Sequence, residues 1–256
     1  MAWNIELVDD CAVVIMNTNK VNAQNDRFLA DLHDAFDRLE RDFNPHPIVL
    51  TGQGDVFSAG IDFQYSFDIF ASGDLDKIRE WYRNYRATNL RIFQYPRPTV
   101  AAINGHAIAG GLITALDCDF RVAARKSAKF GLNEVPIGPD AAAYIEITKY
   151  ALGDQVGALT TLRGLLYTLG ESEKLGFFHE VVEPDQLLST AIRWAKCITP
   201  DCNTAYAMSK KAMQDSVVRQ IEERTIALDE LLPQGMSDEG NRRAQDRRRR
   251  EIMKNK

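Results

Sequence analysis

INGHAIAGGLITALDCD, residues 103–119, runs from a strand-like apolar segment through two adjacent glycines into an apolar helix-like segment. A glycine inside a helix costs about 1 kcal/mol relative to alanine, so Gly110 and Gly111 at the head of "LITAL" require a physical reason. Glycine lets the backbone approach another group closely, and the first turn of a helix carries outward N–H groups with no partner. The helix dipole adds to their attraction for negative charge. A second small-residue turn, "SAGID" at 58–62, follows the apolar run "IVLTG". Two N–H groups converging from such turns would hold a carbonyl oxygen as it becomes an oxyanion, and losing one donor of that kind costs about 3–4 kcal/mol of barrier. Alone, a small-residue turn more often marks a close strand–helix crossing than an active site.

Outward from this segment, strand-like and helix-like runs alternate. "NIELVDDCAVVIMNTN" reads as two strands around an Asp-Asp turn, and apolar residues at helical spacing predict a helix over about 24–43. "PIVLTG" (47–52) reads as a buried strand and "DVFSAGIDF" as a loop. Residues 76–96 predict an amphipathic helix stopped by Pro96 and Pro98. "TVAAING" is a second buried strand, "DFRVAA" and "AKFGL" a further strand pair, and from Ala141 onward the pattern is mostly helical. This is an α/β chain, divided as a core over 1–195 and a helical region over 196–256.

Composition narrows the function. The 256 residues are 45% hydrophobic and 26% charged, with no run approaching a membrane span. The N-terminus lacks the pattern of a secretory signal, so a cytoplasmic protein is expected. Cys11, Cys118, Cys197 and Cys202 have no CxxC spacing and the four histidines share no ligand spacing, so neither a disulfide nor a metal site is expected. The net charge of −5 conceals a basic tail: residues 242–256 hold eight basic and two acidic side chains, a net +6, leaving −11 elsewhere. The tail reads either as a solvated terminal helix or as a phosphate contact.

"FSAGIDF", "INGHAIAGGLITALDCDFRVAA" and "AKFGLNEVPIG", in this order and at these separations, resemble the three signature blocks of the crotonase superfamily, the enoyl-CoA hydratases and isomerases. The resemblance covers roughly residues 3–215, including "VNAQN" and "LRGLLYTLGESEKLGFFHEVVEPDQL". It implies a spiral of ββα units followed by a helical trimerisation region, assembled as a trimer or a dimer of trimers. It implies an acyl-CoA thioester substrate, with no cofactor beyond that coenzyme A. The oxyanion donors map to the N–H groups of Ile61 and Gly110, with Ala59, Gly60, Asp62, Phe63 and Gly111 around the substrate. No membrane partner is expected; RNA binding through the arginine run is the weaker alternative, since no interleaved aromatics accompany it.

The same oxyanion hole serves many reactions, so the side chains around it decide. In the hydratases one glutamate follows the diglycine turn and a second lies in the third block. Here the first position is Ile113, which moves no proton, and the second is Glu134. A lone carboxylate suits a 1,3-proton shift, and the pairing of one glutamate with an apolar residue resembles the mitochondrial-type 3,2-enoyl-CoA isomerases. Hydration, thioester hydrolysis or decarboxylation are the alternatives. Asp140 is a possible second acid, although a helix-capping role fits its position better. His106 reads as a packed strand-end residue, and Tyr144 and Trp81 as core residues near the acyl pocket.

Overall fold

A computed structural model describes residues 3–137 and 144–254. Two strands open the chain, β1 (Asn4–Val8) and β2 (Cys11–Met16), joined through Asp9 and Asp10, both at positive φ. Helix α1 (Asp26–Asp42) follows, its N-terminus capped by the Asn25 side chain, which accepts from the N–H groups of Arg27 and Phe28.

The chain then repeats one motif. β3 (Ile48–Gly52) and β4 (Val56–Ser58) precede α2 (Phe63–Ala71) and α3 (Leu75–Phe93). β5 (Thr99–Ile103) and β6 (His106–Ile108) precede α4 (Gly110–Leu116). β7 (Phe120–Ala124) and β8 (Lys129–Gly131) precede α5 (Glu134–Ile137) and α6 (Ile145–Arg163). In each repeat the first strand joins a six-stranded sheet and the second a four-stranded one. Once β9 (Tyr167–Thr168) and β10 (Glu180–Val182) are added, the orders are β1-β2-β3-β5-β7-β10 and β4-β6-β8-β9.

This alternation corrects two expectations. "DFRVAA" and "AKFGL" are both strands but do not pair with each other; β7 lies between β5 and β10, while β8 lies between β6 and β9. A corner after each first strand turns the chain into the second sheet, and a period-2 pattern carries no information about such a corner. "DVFSAGIDF" is not all loop, because Val56–Ser58 forms β4 against β6. The region from residue 144 is mostly helical, as the pattern predicts, with two short strands, β9 and β10, among its helices.

The parallel strands are buried on both faces, so β5 reads as a continuous apolar run with all five residues buried. One core lies between the two sheets and α1, α3, α4 and α6, with Trp3, Phe28, Phe36, Phe57 and Phe130 fully enclosed. A smaller core packs α8 (Leu187–Ala195), preceded by α7 (Leu169–Lys174), on the outer face of the six-stranded sheet.

The last segment is α9 (Asn203–Ser237), followed by α10 (Glu239–Lys254). Ionic contacts anchor α9 along its length. The Lys210 ammonium lies 2.8 Å from Asp119, the Tyr206 hydroxyl donates to the same carboxylate, and Arg224 donates to Glu146 on α6 at 2.8 Å. These anchors bring residues 228–246 back over the core. Among the described residues all four cysteines are free, and no helix is long and apolar enough to cross a membrane.

Candidate active site

The second strand of each repeat ends at the same place, and there the two small-residue turns meet. Parallel pairing of β4 with β6 and of β6 with β8 sets Ser58, Ile108 and Gly131 at adjoining strand ends. The Ala109 N–H donates to the Gly131 carbonyl at 2.8 Å, which ties the second turn to the strand leading into Glu134.

The first turn is fixed by a short bridge. The Gln24 N–H donates to the Gly60 carbonyl and the Asp62 N–H to the Gln24 carbonyl, each at 2.8 Å. Residue 61 sits between these bonds, so its own N–H faces the other way. In the second turn Ala109 precedes α4 at φ 54°, ψ −128°, an uncommon conformation for a residue with a Cβ. It directs the chain so that Gly110 becomes the first helical residue. Among the described residues no backbone acceptor is assigned to the N–H of Ile61 or of Gly110. Strain of this kind is characteristic of sites where geometry is imposed by the surrounding structure.

The glycines have an immediate packing reason. A Cβ on Gly60, whose φ is +81°, would stand 2.6 Å from the Ile108 carbonyl oxygen and 2.8 Å from the Ala109 Cβ. A Cβ on Gly110 would collide with the Tyr85 hydroxyl and the Gln24 carboxamide oxygen, and one on Gly111 with the Ser58 carbonyl oxygen. The bare backbone lets the two turns touch each other, which is the close crossing that the sequence left open.

Beyond the turns lies a cavity of about 990 Å³. Ile61, Phe63, Ala109, Asn133, Glu134 and Tyr144 form part of its wall. Phe67 and Phe70 of α2 and Tyr82 and Arg86 of α3 continue it, and residues of α9 and α10 close it, Leu232, Met236 and Arg242 among them. Ala59, Gly60, Gly110 and Gly111 adjoin the wall residues within the two turns. Asp62 has a different employment. Its carboxylate caps α2, accepting from the N–H groups of Gln64 and Tyr65 at 3.1 and 3.2 Å, and also accepts from Asn25.

Glu134 starts α5, three residues beyond Gly131, and is 7% exposed. The other carboxylates in the wall are Asp229 of α9, Asp238 between α9 and α10, and Asp246 of α10. Ile113 is 3% exposed within the core and is absent from the wall, so it excludes water from beneath the turn rather than from the cavity itself. Trp81 is likewise a core residue, whereas Tyr144 is both buried and part of the wall. Asp140 lies outside the described residues. His106 begins β6, where its Nδ1 accepts from the Lys129 N–H.

Three features of the site carried weak or unused signals in the sequence. Gln24 stands within "VNAQN", where its carboxamide has no readable role. Asp229 lies in a helix with no strong apolar stripe; its carboxylate pairs with Arg83 and lies 3.6 Å from Arg86. The basic tail forms α10, whose Arg249 stacks over the Phe67 ring at 4.1 Å.

Among the described residues no group of three or more metal-ligating side chains is clustered. Comparison with known proteins agrees with the geometry. A putative enoyl-CoA hydratase of Thermus thermophilus is 32% identical over 203 residues, 79% of either chain. The mitochondrial enoyl-CoA delta isomerase 1 of Rattus norvegicus is 27% identical, over 82% of this chain and 74% of its own. The apo structure of an enoyl-CoA isomerase from Mycobacterium tuberculosis superposes with a TM-score of 0.77 at 28% identity, covering 87% of this chain and 95% of that one. The family profile described as enoyl-CoA hydratase/isomerase matches residues 9–246, and the chain therefore belongs to that family, the crotonase superfamily.

Proposed function

We propose that this acyl-CoA enzyme isomerises 3-enoyl-CoA to 2-enoyl-CoA through a single-glutamate proton shuttle. The observation that carries this reading is the carboxylate inventory: among the described residues, the turn end of the cavity holds Glu134 and the position that would supply a second acid is Ile113. The thioester oxygen accepts from the Ile61 and Gly110 N–H groups. Glu134 removes a proton from C2, the electron pair moves into the conjugated dienolate, and the negative charge rests on the oxygen between the two donors. The protonated Glu134 then returns the proton at C4, leaving the double bond between C2 and C3 with no atom gained or lost. Phe63 and Tyr144 beside the turns, with Phe67 and Phe70 further along the wall, keep the cavity apolar, which strengthens the electrostatics and disfavours water as a competing reactant.

The basic face of α10 supplies counter-charge for the CoA phosphates, with Arg242 at the cavity wall. The protein assembles as a homotrimer or a dimer of trimers. Leu162 on α6 and Met208, Met213 and Ile226 on α9 are all more than 60% exposed in the single chain, as residues awaiting a subunit contact would be.

The test is to incubate the protein with 3-hexenoyl-CoA and, separately, with crotonyl-CoA, following enoyl thioester absorbance and product mass. The expected result is a 2-enoyl product of unchanged mass from the first and little water addition to the second. Rapid hydration of crotonyl-CoA, the activity for which one relative is named, or release of free CoA overturns the isomerase reading.

A further inference from the structure

We infer that Gln24 is a positioning residue that holds the two turns of the oxyanion site at a fixed separation, an inference that rests on the oxyanion reading above. Gln24 is fully buried and grips both turns at once. Its main chain bonds the first turn on either side of Ile61, to Gly60 and Asp62. Its side-chain Nε2 donates to the Gly110 carbonyl of the second turn at 3.3 Å and to the Thr114 hydroxyl at 2.9 Å. The Gly110 carbonyl can only accept, which fixes the carboxamide orientation and turns Oε1 toward the Tyr85 hydroxyl, its donor at 2.6 Å.

The surrounding groups hold that carboxamide still. Thr114 Oγ1 lies 3.2 Å from Asn89 Oδ1 and 3.1 Å from the Gly110 carbonyl, and Asn89 Nδ2 donates to the Tyr85 carbonyl at 2.9 Å. Burial pushes the Tyr85 hydroxyl well above the usual phenol range, so it stays a donor. The Tyr85 and Tyr144 rings meet edge to face at 6.5 Å, which joins the network to the cavity wall beside Glu134.

The mechanical logic has two opposed parts. Gly60 lies so near Ile108 and Ala109 that no Cβ would fit between them, which limits how much further the turns can approach. The Gln24 bonds stop them from separating. Two N–H groups that must converge on one oxygen need both limits, because a displacement of about 1 Å in such a pair reduces rate by as much as about 100-fold.

The test uses Gln24→Met, which keeps side-chain length and removes all three side-chain bonds, and Tyr85→Phe, an isosteric change that removes one of them. Two thioesters serve as probes. Acetoacetyl-CoA ionises to an enolate with its own near-ultraviolet band, and hexanoyl-CoA reports binding without ionisation. Gln24→Met is expected to lower the enolate-to-ketone ratio of bound acetoacetyl-CoA about 10–100-fold, and kcat on 3-hexenoyl-CoA by a similar factor. Hexanoyl-CoA affinity and KM should stay within about twofold, and Tyr85→Phe should fall between wild type and Gln24→Met. A wild-type enolate ratio in both variants overturns the inference, as does an equal loss of affinity for both probes. A wild-type protein that binds both thioesters but forms no enolate removes the oxyanion reading, and the inference with it. Should Gln24→Met not fold, Tyr85→Phe alone decides.

Discussion

The two ends of the cavity are held by different kinds of bond. At the turn end, main-chain bonds and direct backbone contact fix Gly60, Ile61, Ala109 and Gly110, and buried side chains lie behind them. At the other end, α9 and α10 close the cavity through side chains: Asp229 with Arg83 and Arg86, the Arg242 Nε on the Met236 carbonyl, and Arg249 over Phe67. Arg83 is exposed, so its share of this ion pair contributes at most about 1 kcal/mol and weakens in salt, whereas Asp229 and Arg86 are buried and less screened. The turn end is therefore rigid enough to direct chemistry. The helical end depends instead on side chains that meet between distant helices.

The largest effect that the comparison predicts is at Glu134. Glu134→Gln keeps shape and removes the base, so kcat should fall by about 10³-fold or more with KM within a few-fold. A variant retaining a tenth of the activity would show that the acid lies elsewhere in the cavity. Next comes Gly110→Ala, where the added methyl must displace Tyr85 and Gln24. We expect a loss of about 10²–10³ in kcat together with a lowered unfolding midpoint, read by steady-state kinetics and thermal melting. An unchanged kcat would mean that this end is softer than its contacts imply.

Asp229→Asn probes the helical end. It removes the carboxylate charge that faces Arg83 and Arg86, and KM should rise about 3–10-fold while kcat changes less than twofold. The smallest effect concerns Asp117, 1% exposed at the C-terminal end of α4, where burial raises its carboxyl well above the usual range. The folded state keeps the proton to higher pH than the unfolded state does. Stability therefore falls as pH rises from about 3.8 through the folded value, and the penalty is fully present once that value is passed. Asp117→Asn should raise the midpoint by a few degrees at pH 7, with a gain that shrinks toward pH 4 and activity within twofold. A lower midpoint at pH 7 would reverse the sign of this burial term.

Much of the turn end was legible in the sequence because its constraints are local. Two glycines ahead of an apolar helix, a second small turn, and a glutamate after a short strand each leave a mark within a few residues. An alternation of strands with helices was visible too, although the short second strands β4 and β6 and the distribution of strands between two sheets were not. Gln24 and Asp229 left no such mark. Gln24 bonds to a carbonyl 86 residues away, and Asp229 pairs with Arg83 across 146 residues. Nothing in their immediate neighbours distinguishes them from a helix-flanking amide and a surface acid.

The sequence by itself determined the α/β class, the family, the two bare turns and the choice of Glu134 over residue 113 as the candidate base. Only the tertiary structure decided that Ile113 is core rather than wall, that Asp62 is a cap, that the glycines serve turn-to-turn contact, and that residues 228–246 close the cavity. Conformational preference and hydrophobic period act over a few residues and are written in order along the chain. Which buried polar atoms face one another depends on how distant segments pack, and that is set only once the whole chain has closed.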